Sequence, residues 1–330
     1  METFEVSSRI KSIDDFKGKI IDDISGYKLC YDKESFQVVE KVGLGYENVL
    51  AIVVKNVYND KDRIYEILKN IKLTSDLRTT QAGEVDDTKL KERGLVEGED
   101  YILGSKKPEN VNSLPGMEGV SISSEKEYNY YIRKSKDGEW QDVERGNEIH
   151  SGMIGYKRNR WTGENTITPW CDANPDLWNE LIEISKINEK VYSEYFSEKY
   201  TRQRNWVDEF IDLKDRIAGS IFTTYSINKY HKDYDVNGMG AHVDPGDVDD
   251  GRTTMAVFGE GEVEGAYFVF PRYKVAIKRE HGDVVIADSN EIHGVTPITG
   301  GDGSMITCVA YSDSRLERKP IKQKPAELSL

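Results

Sequence analysis

Ala241-His242-Val243-Asp244 is answered about fifty residues later by His293. Two imidazoles and one carboxylate at that spacing have the make-up of a facial metal triad. His242, Asp244 and His293 would hold one face of Fe(II) and leave the opposite face open for a co-substrate and dioxygen. These three are the candidate metal ligands and, through the metal, the candidate catalytic residues. A His-x-Asp arises often by chance, so the surrounding pattern has to support the assignment. His150, His231 and His281 lack such a setting and read as surface or structural, although His231 lies close enough to the triad loop to line its mouth.

The stretches between and beside the ligands supply that pattern. Thr253–Phe258, Gly265–Pro271, Tyr273–Ile277, Asp283–Ala287 and Ser304–Tyr311 are short, β-branched or aromatic, and bounded by Gly, Pro or Asp. The expected fold is mainly β with flanking helices, built on a double-stranded β-helix, a jelly-roll or cupin-like core of about eight strands with one open mouth. In that arrangement His242 and Asp244 are expected to start one strand and His293 to end another, so that all three point into the mouth.

Bracing elements surround this core. Asn59-Asp60 reads as the cap of a helix running to about Ile71, and Asn174-Pro175 as the start of a helix with a stripe of Leu177, Leu181, Ile184 and Val191. A further helix is expected from about Arg202 to Ile217. Lys28–Tyr31, Phe36–Val39 and Val49–Val54 have strand composition, and Tyr128–Ile132 with Gly138–Trp140 reads as a hairpin around Lys136-Asp137-Gly138. The polar stretch from Thr74 to about Gly119 reads as loops, some of them lining the site, or alternatively as a disordered segment. The expected organisation is an N-terminal mixed elaboration over 1–145 packed on the core, a dioxygenase-type core with bracing helices over 146–316, and a tail over 317–330.

With 45 basic and 59 acidic residues the formal charge is −14, which argues against tight nonspecific DNA binding over the whole surface but leaves room for a local basic groove. Lys157, Arg158 and Arg160 beside Trp161, and Arg202 and Arg204 beside Trp206, are candidates for one, against the plainer reading of solvated faces around core tryptophans. Cys30, Cys171 and Cys308 are scattered and fit neither a disulfide framework nor a zinc site. No run of membrane length and no signal-peptide plan is present, so an intracellular protein, cytoplasmic or nuclear, is expected, with no membrane partner. The oligomeric state is not legible.

Thr223–Asn228, His242-x-Asp244-x-Gly246-Asp247, Phe270–Ala276, Gly282–Ile286 and His293–Ile298 together resemble the TET/JBP family, dioxygenases that oxidise the 5-methyl group of pyrimidines in nucleic acid. The resemblance spans about residues 150–315, with a weaker echo in Ser75–Gly83. It implies Fe(II) on His242, Asp244 and His293, 2-oxoglutarate as co-substrate, dioxygen, and DNA carrying 5-methylcytosine or thymine as substrate. One position departs from the pattern. The family's arginine for the distal carboxylate of 2-oxoglutarate falls on Met305, or in another register on Gly303, with Thr307 as the retained hydroxyl. Either another cation replaces it, or the co-substrate differs, as in an algal member that draws on ascorbate. Arg315, Arg252, Lys229 and Arg272 are the candidate cations; Asn228, Thr307 and Arg315 are the expected co-substrate contacts. Tyr225 and Tyr234 are candidates to stack on a base, and Asp247 reads as a solvated loop residue with a weaker alternative beside a ligand imidazole. A same-fold hydroxylase of a small molecule or peptide side chain is the alternative.

Overall fold

The computed structural model describes residues 1–8, 12–13, 16–43, 46–79, 96, 101–106, 128–134, 140–142, 153–159, 162–233, 237–244 and 246–318. Strands β1 (Glu2–Val6), β2 (Lys28–Cys30), β3 (Phe36–Gly43) and β4 (Tyr46–Val54) precede helix α1 (Lys61–Thr79). Strands β5 (Tyr101–Lys106), β6 (Tyr128–Lys134) and β7 (Trp140–Asp142) form a separate antiparallel sheet. Next come β8 (Ile154–Arg158), β9 (Asn165–Ile167) and helices α2 (Pro169–Ala173), α3 (Pro175–Tyr195) and α4 (Ser197–Phe210). The remaining strands are β10 (Thr224–His231), β11 (Met239–His242), β12 (Thr253–Glu260), β13 (Glu264–Gly265), β14 (Phe268–Phe270), β15 (Val275–Ile277), β16 (Val284–Ala287), β17 (His293–Val295), β18 (Ile298–Gly300) and β19 (Ser304–Tyr311).

Two sheets make the jelly roll. The larger has the order β1-β3-β4-β16-β12-β19-β10-β8-β9, and the smaller β11-β17-β14-β15-β2. From β10 onward the chain passes back and forth between them, apart from the β14–β15 hairpin, which is the winding of a double-stranded β-helix. The long apolar runs follow from burial on both faces of the large sheet. In β16, Val284 and Ile286 pack toward the helices while Val285 and Ala287 enter the space between the sheets. β12 and β19 divide the same way, with Phe258, Ile306 and Cys308 on the helix side and Met255, Val257 and Met305 inside. A strand buried on both faces has no reason to alternate polar and apolar residues.

The helices differ from expectation in ways that side-chain bonding explains. α1 runs on to Thr79 rather than stopping near Ile71, because the Thr74 and Ser75 hydroxyls bond back to helix carbonyls and need no loop. Strand β5 also lies within the stretch expected to be loops. Asn174 does not cap α3 through its side chain; its amide instead donates to the Trp170 carbonyl at 2.9 Å, closing α2. α4 begins at Ser197 and ends at Phe210, short of Ile217. The buried Arg216 guanidinium takes the Val207 and Ile211 carbonyls, satisfying acceptors that a longer helix would have bonded itself. The β6–β7 hairpin forms, with its turn at 136–138 outside the described residues, as are His150, the basic-aromatic pair Arg160 and Trp161, residues 80–83 of the Ser75–Gly83 echo, and the tail beyond 318. The three cysteines are buried and free, and no described helix is long and apolar enough to cross a membrane.

Candidate active site

β11 and β17 are antiparallel neighbours, and His242 and His293 stand directly opposite each other in their register. His242 is the last residue of β11 and His293 the first of β17, so the expected strand ends are reversed. Both histidines still lie at the same rim, because antiparallel partners bring one strand's end beside the other's beginning. Asp244 follows in the loop, its N–H donating to the Ser289 carbonyl at 3.0 Å.

The three side chains converge. Asp244 turns Oδ1 toward His242 Nε2 at 3.6 Å and Oδ2 toward His293 Nε2 at 3.5 Å, and the imidazole centroids are 4.5 Å apart. One ligand atom from each residue lies within 4.8 Å of the others, close enough for a single ion. The ring tautomers suit this use. His242 Nδ1 lies 2.8 Å from the Gly240 carbonyl and His293 Nδ1 lies 2.9 Å from the Glu291 carbonyl. A carbonyl only accepts, so each Nδ1 carries the proton and each Nε2 presents its lone pair to the centre. Burial disfavours charge on His293, but the Asp244 carboxylate outweighs it and holds the pKa above that of an ordinary histidine. A mixed nitrogen–oxygen set on one face fits a divalent transition metal.

Asp247 is no solvated loop residue. It accepts hydrogen bonds from the Thr253 hydroxyl at 2.6 Å and from the Ser289 hydroxyl. Burial and the charge of Asp244 push its pKa up to about 6, with the two hydroxyls opposing. Unfolded, the group returns to the ordinary carboxylate range, so the folded protein binds the extra proton between roughly pH 4 and 6, and stability falls as pH rises across that interval. Asp247→Asn, which stays neutral, is expected to make the metal-free protein more stable at pH 7.5 by ~1–3 kcal/mol, the gain vanishing near pH 4. Thermal melts of metal-free protein from pH 4 to 8 measure this; a variant no more stable than wild type at pH 7.5 contradicts it.

A cavity of about 320 Å³ opens from the triad into the space between the sheets. Ser226, Asn228 and Tyr230, alternate residues of β10, form one wall, with Val309 and Tyr311 of β19 beside them. Asn228 thus lines the cavity that opens from the triad. Thr307 is fully buried on β19 opposite Asn228 and is not among the lining residues. Arg315 reaches the cavity rim, held by Asp313 through Nε at 2.7 Å and Nη2 at 2.9 Å. Met305 is buried in the inter-sheet core opposite Tyr230 and leaves that wall uncharged.

The other candidates are engaged elsewhere. Arg252 is buried against Asp288 at 3.2 Å, and Arg272 pairs with Glu291 at 2.7 Å. Lys229, its pKa lowered by burial and then by Lys69 and Lys72, is not among the lining residues. Tyr225 turns to the helix side, its hydroxyl donating to the Leu181 carbonyl at 3.1 Å, so it does not stack in the cavity; Tyr234 lies outside the described residues. His231 is absent from the lining, and His281 bonds Gly259 and Asp62. Three members of the basic clusters are engaged: Arg158 donates to the Gly163, Arg315 and Glu317 carbonyls, Arg202 meets Asp250 and Glu198, and Arg204 meets Glu189 and Asp208. Sequence reading missed Thr253, Ser289 and Phe268, whose ring lies 5.4 Å from that of His293, because nothing in a Thr or Phe of a strand, or a Ser of the turn after one, marks it as facing the triad.

No family model matches the chain. Over 166 residues, 48% of the chain, it is 28% identical to the bifunctional helicase and thymine dioxygenase JBP2 of Trypanosoma brucei brucei, and that stretch covers 14% of the relative. The JBP2 of Leishmania braziliensis is 25% identical over 151 residues, 45% of the chain and 13% of the relative. The chain thus matches only a small part of the length of these curated relatives. A solved structure of NgTET1 in complex with 5mC DNA aligns over 90% of the chain and 86% of its own, at 15% identity and a TM-score of 0.47. Over about half of its length the chain is thus similar in sequence to proteins named thymine dioxygenases.

Proposed function

We propose that the chain is an Fe(II)-dependent dioxygenase that oxidises the 5-methyl group of a pyrimidine, thymine or 5-methylcytosine, in DNA, with a 2-oxo acid as co-substrate. The observation that carries this reading is a His-Asp-His triad at cross-strand positions in a chain similar to a protein named a thymine dioxygenase. Iron and co-substrate, when bound, would activate dioxygen, one oxygen atom entering the substrate methyl and the other the 2-oxo acid as it loses carbon dioxide.

The chain's own residues bind, orient and exclude water. The carbonyls of Gly240 and Glu291 fix the two imidazoles, so the ligand atoms are set before an ion arrives. Phe268, Val295 and Met239 surround the histidines with apolar surface. Asn228 and Ser226 offer polar groups within the cavity, and Tyr311, whose pKa burial raises far above its usual value, stays a neutral phenol. A base in a duplex reaches such a cavity only by leaving the stack, so single-stranded or flipped-out pyrimidines are the substrates in reach. A DNA substrate would place the protein inside the cell.

The test is nucleoside mass spectrometry of thymine- and 5-methylcytosine-containing DNA after incubation with protein, Fe(II) and air, in parallel with 2-oxoglutarate, ascorbate, both or neither. An oxidised pyrimidine in the 2-oxoglutarate reaction is expected. Product with ascorbate alone would reassign the co-substrate. Unmodified DNA throughout, with iron shown bound, would favour hydroxylation of a small molecule or peptide, the reading the −14 charge favours.

A further inference from the structure

Arg279 is 4% exposed and enters the inter-sheet space just beyond β15. Its guanidinium has unusually poor company. Nη2 donates to the Ala266 carbonyl at 2.6 Å, Nη1 points at the Met255 sulfur at 2.9 Å, and Nε is buried with no hydrogen-bond partner. A thioether is a weak acceptor. The neighbouring carboxylate, Asp283, is committed to Lys55 at 2.8 Å and to the Asn56 and Glu280 backbone N–H groups. Burial brings the guanidinium pKa down to about 10, which still leaves it charged at neutral pH. A buried, incompletely bonded cation is costly to keep unless something anionic comes to meet it.

What stands between Arg279 and the cavity is one layer of side chains. Met255, Phe268 and Tyr230 all line the cavity, and all three touch or face the guanidinium: Met255 through sulfur, Phe268 with its ring centroid 5.7 Å away, Tyr230 as an electrostatic neighbour. Tyr230 is also the residue directly opposite Met305. The positive charge missing from β19 is thus supplied to the same end of the cavity from the other sheet. The Phe268 ring lies 5.4 Å from the His293 ring on one side and 5.7 Å from the guanidinium on the other. Triad and cation are therefore no farther apart than those two distances combined, a span suited to a short-chain dicarboxylate.

We propose that Arg279 is the cation that receives the distal carboxylate of the co-substrate, and that it selects a metal-chelating 2-oxo dicarboxylate over ascorbate. This rests on the dioxygenase reading above. Ascorbate chelates through an enediol and carries no carboxylate, so it would leave Arg279 as poorly bonded as it found it. Met255, unbranched and adaptable, is the side chain that yields so that Nη1 exchanges sulfur for carboxylate oxygen. Arg279 is a binding and specificity residue here; the triad holds the metal without it.

The experiment is calorimetric titration of anaerobic, Fe(II)-loaded protein with 2-oxoglutarate, with its distal amide 2-oxoglutaramate, with 2-oxobutyrate and with ascorbate. Wild type is expected to bind 2-oxoglutarate at least tenfold more tightly than the amide or 2-oxobutyrate. Arg279→Met is expected to lose at least tenfold for 2-oxoglutarate while binding 2-oxobutyrate and iron as before, and Arg279→Lys to recover part of the loss. Iron loading and 2-oxobutyrate binding show whether the variants remain folded, and the wild-type amide comparison needs no variant. Equal affinity for 2-oxoglutarate and its amide in wild type, or unchanged 2-oxoglutarate binding in Arg279→Met, overturns the assignment while leaving the dioxygenase reading in place. Iron-loaded wild type that binds no 2-oxo acid overturns the co-substrate reading, and the assignment with it.

Discussion

Asp244→Ala protein is expected to lose stoichiometric Fe(II) binding and all detectable product. Asp244 is the one carboxylate of the triad, with an oxygen turned to each imidazole. Its removal leaves two neutral histidines and no carboxylate among the ligands, since Asp247 is held by Thr253 and Ser289. Losing a group that merely hydrogen-bonds a ligand costs metal sites roughly 10–100-fold in affinity, so loss of a ligand itself is expected to exceed about 100-fold. Folding should survive, because Asp244 is only half-buried and its charge raises the pKa of the buried Asp247. Metal titration and a thermal melt on the same preparation separate the two effects. Retained iron and turnover would remove Asp244 from the triad.

Gly294→Val is expected to damage both the fold and the site. Gly294 follows His293 in β17, the strand between β11 and β14. A Cβ there would meet the Met239 carbonyl oxygen at 2.8 Å and Ala241 Cα at 3.3 Å, both backbone atoms of the strand that carries His242. Backbone cannot swing aside as a side chain can, so β11 and β17 must separate and the histidines with them. A loss of ~2–4 kcal/mol in unfolding free energy is expected from such overpacking. Iron affinity should also fall at least tenfold. Chemical denaturation and metal titration measure the pair, and wild-type values in both would show that the strands can shift freely.

The triad was legible because metal chemistry restricts residue type and jelly-roll winding restricts spacing. The core strands were legible because burial on both faces leaves runs such as Val284–Ala287 almost free of polar residues. What escaped reading depends on partners far away in sequence. Asp247 sits among acidic neighbours and looks solvated until Thr253 and Ser289 are brought to it. The end of α4 depends on Arg216 folding back onto its carbonyls, and Asn174 spends its amide on the preceding helix. The need for glycine at 240 is likewise set from afar: its φ is not positive, and a Cβ there would strike the Gly18 carbonyl at 2.9 Å. Arg279 stands between charged neighbours, Lys278 and Glu280, and its burial follows only from the packing of the two sheets.

That contact at Gly240 bears on the order in which the molecule comes together. The Gly18 N–H donates to the Ala241 carbonyl at 2.7 Å and the Ala241 N–H to the Lys19 carbonyl at 2.8 Å, while β2 pairs with β15 and β4 with β16. β3 can pair with β1 and β4 locally, but residues 17–19, β2 and the outer edge of β4 meet their partners only across more than two hundred residues of chain. Contacts between such distant segments slow folding and lengthen exposure to misassembly. The strand that carries His242 is completed by one of these long-range closures, so the triad is expected to assemble after local pairings such as β3–β4 rather than to nucleate them.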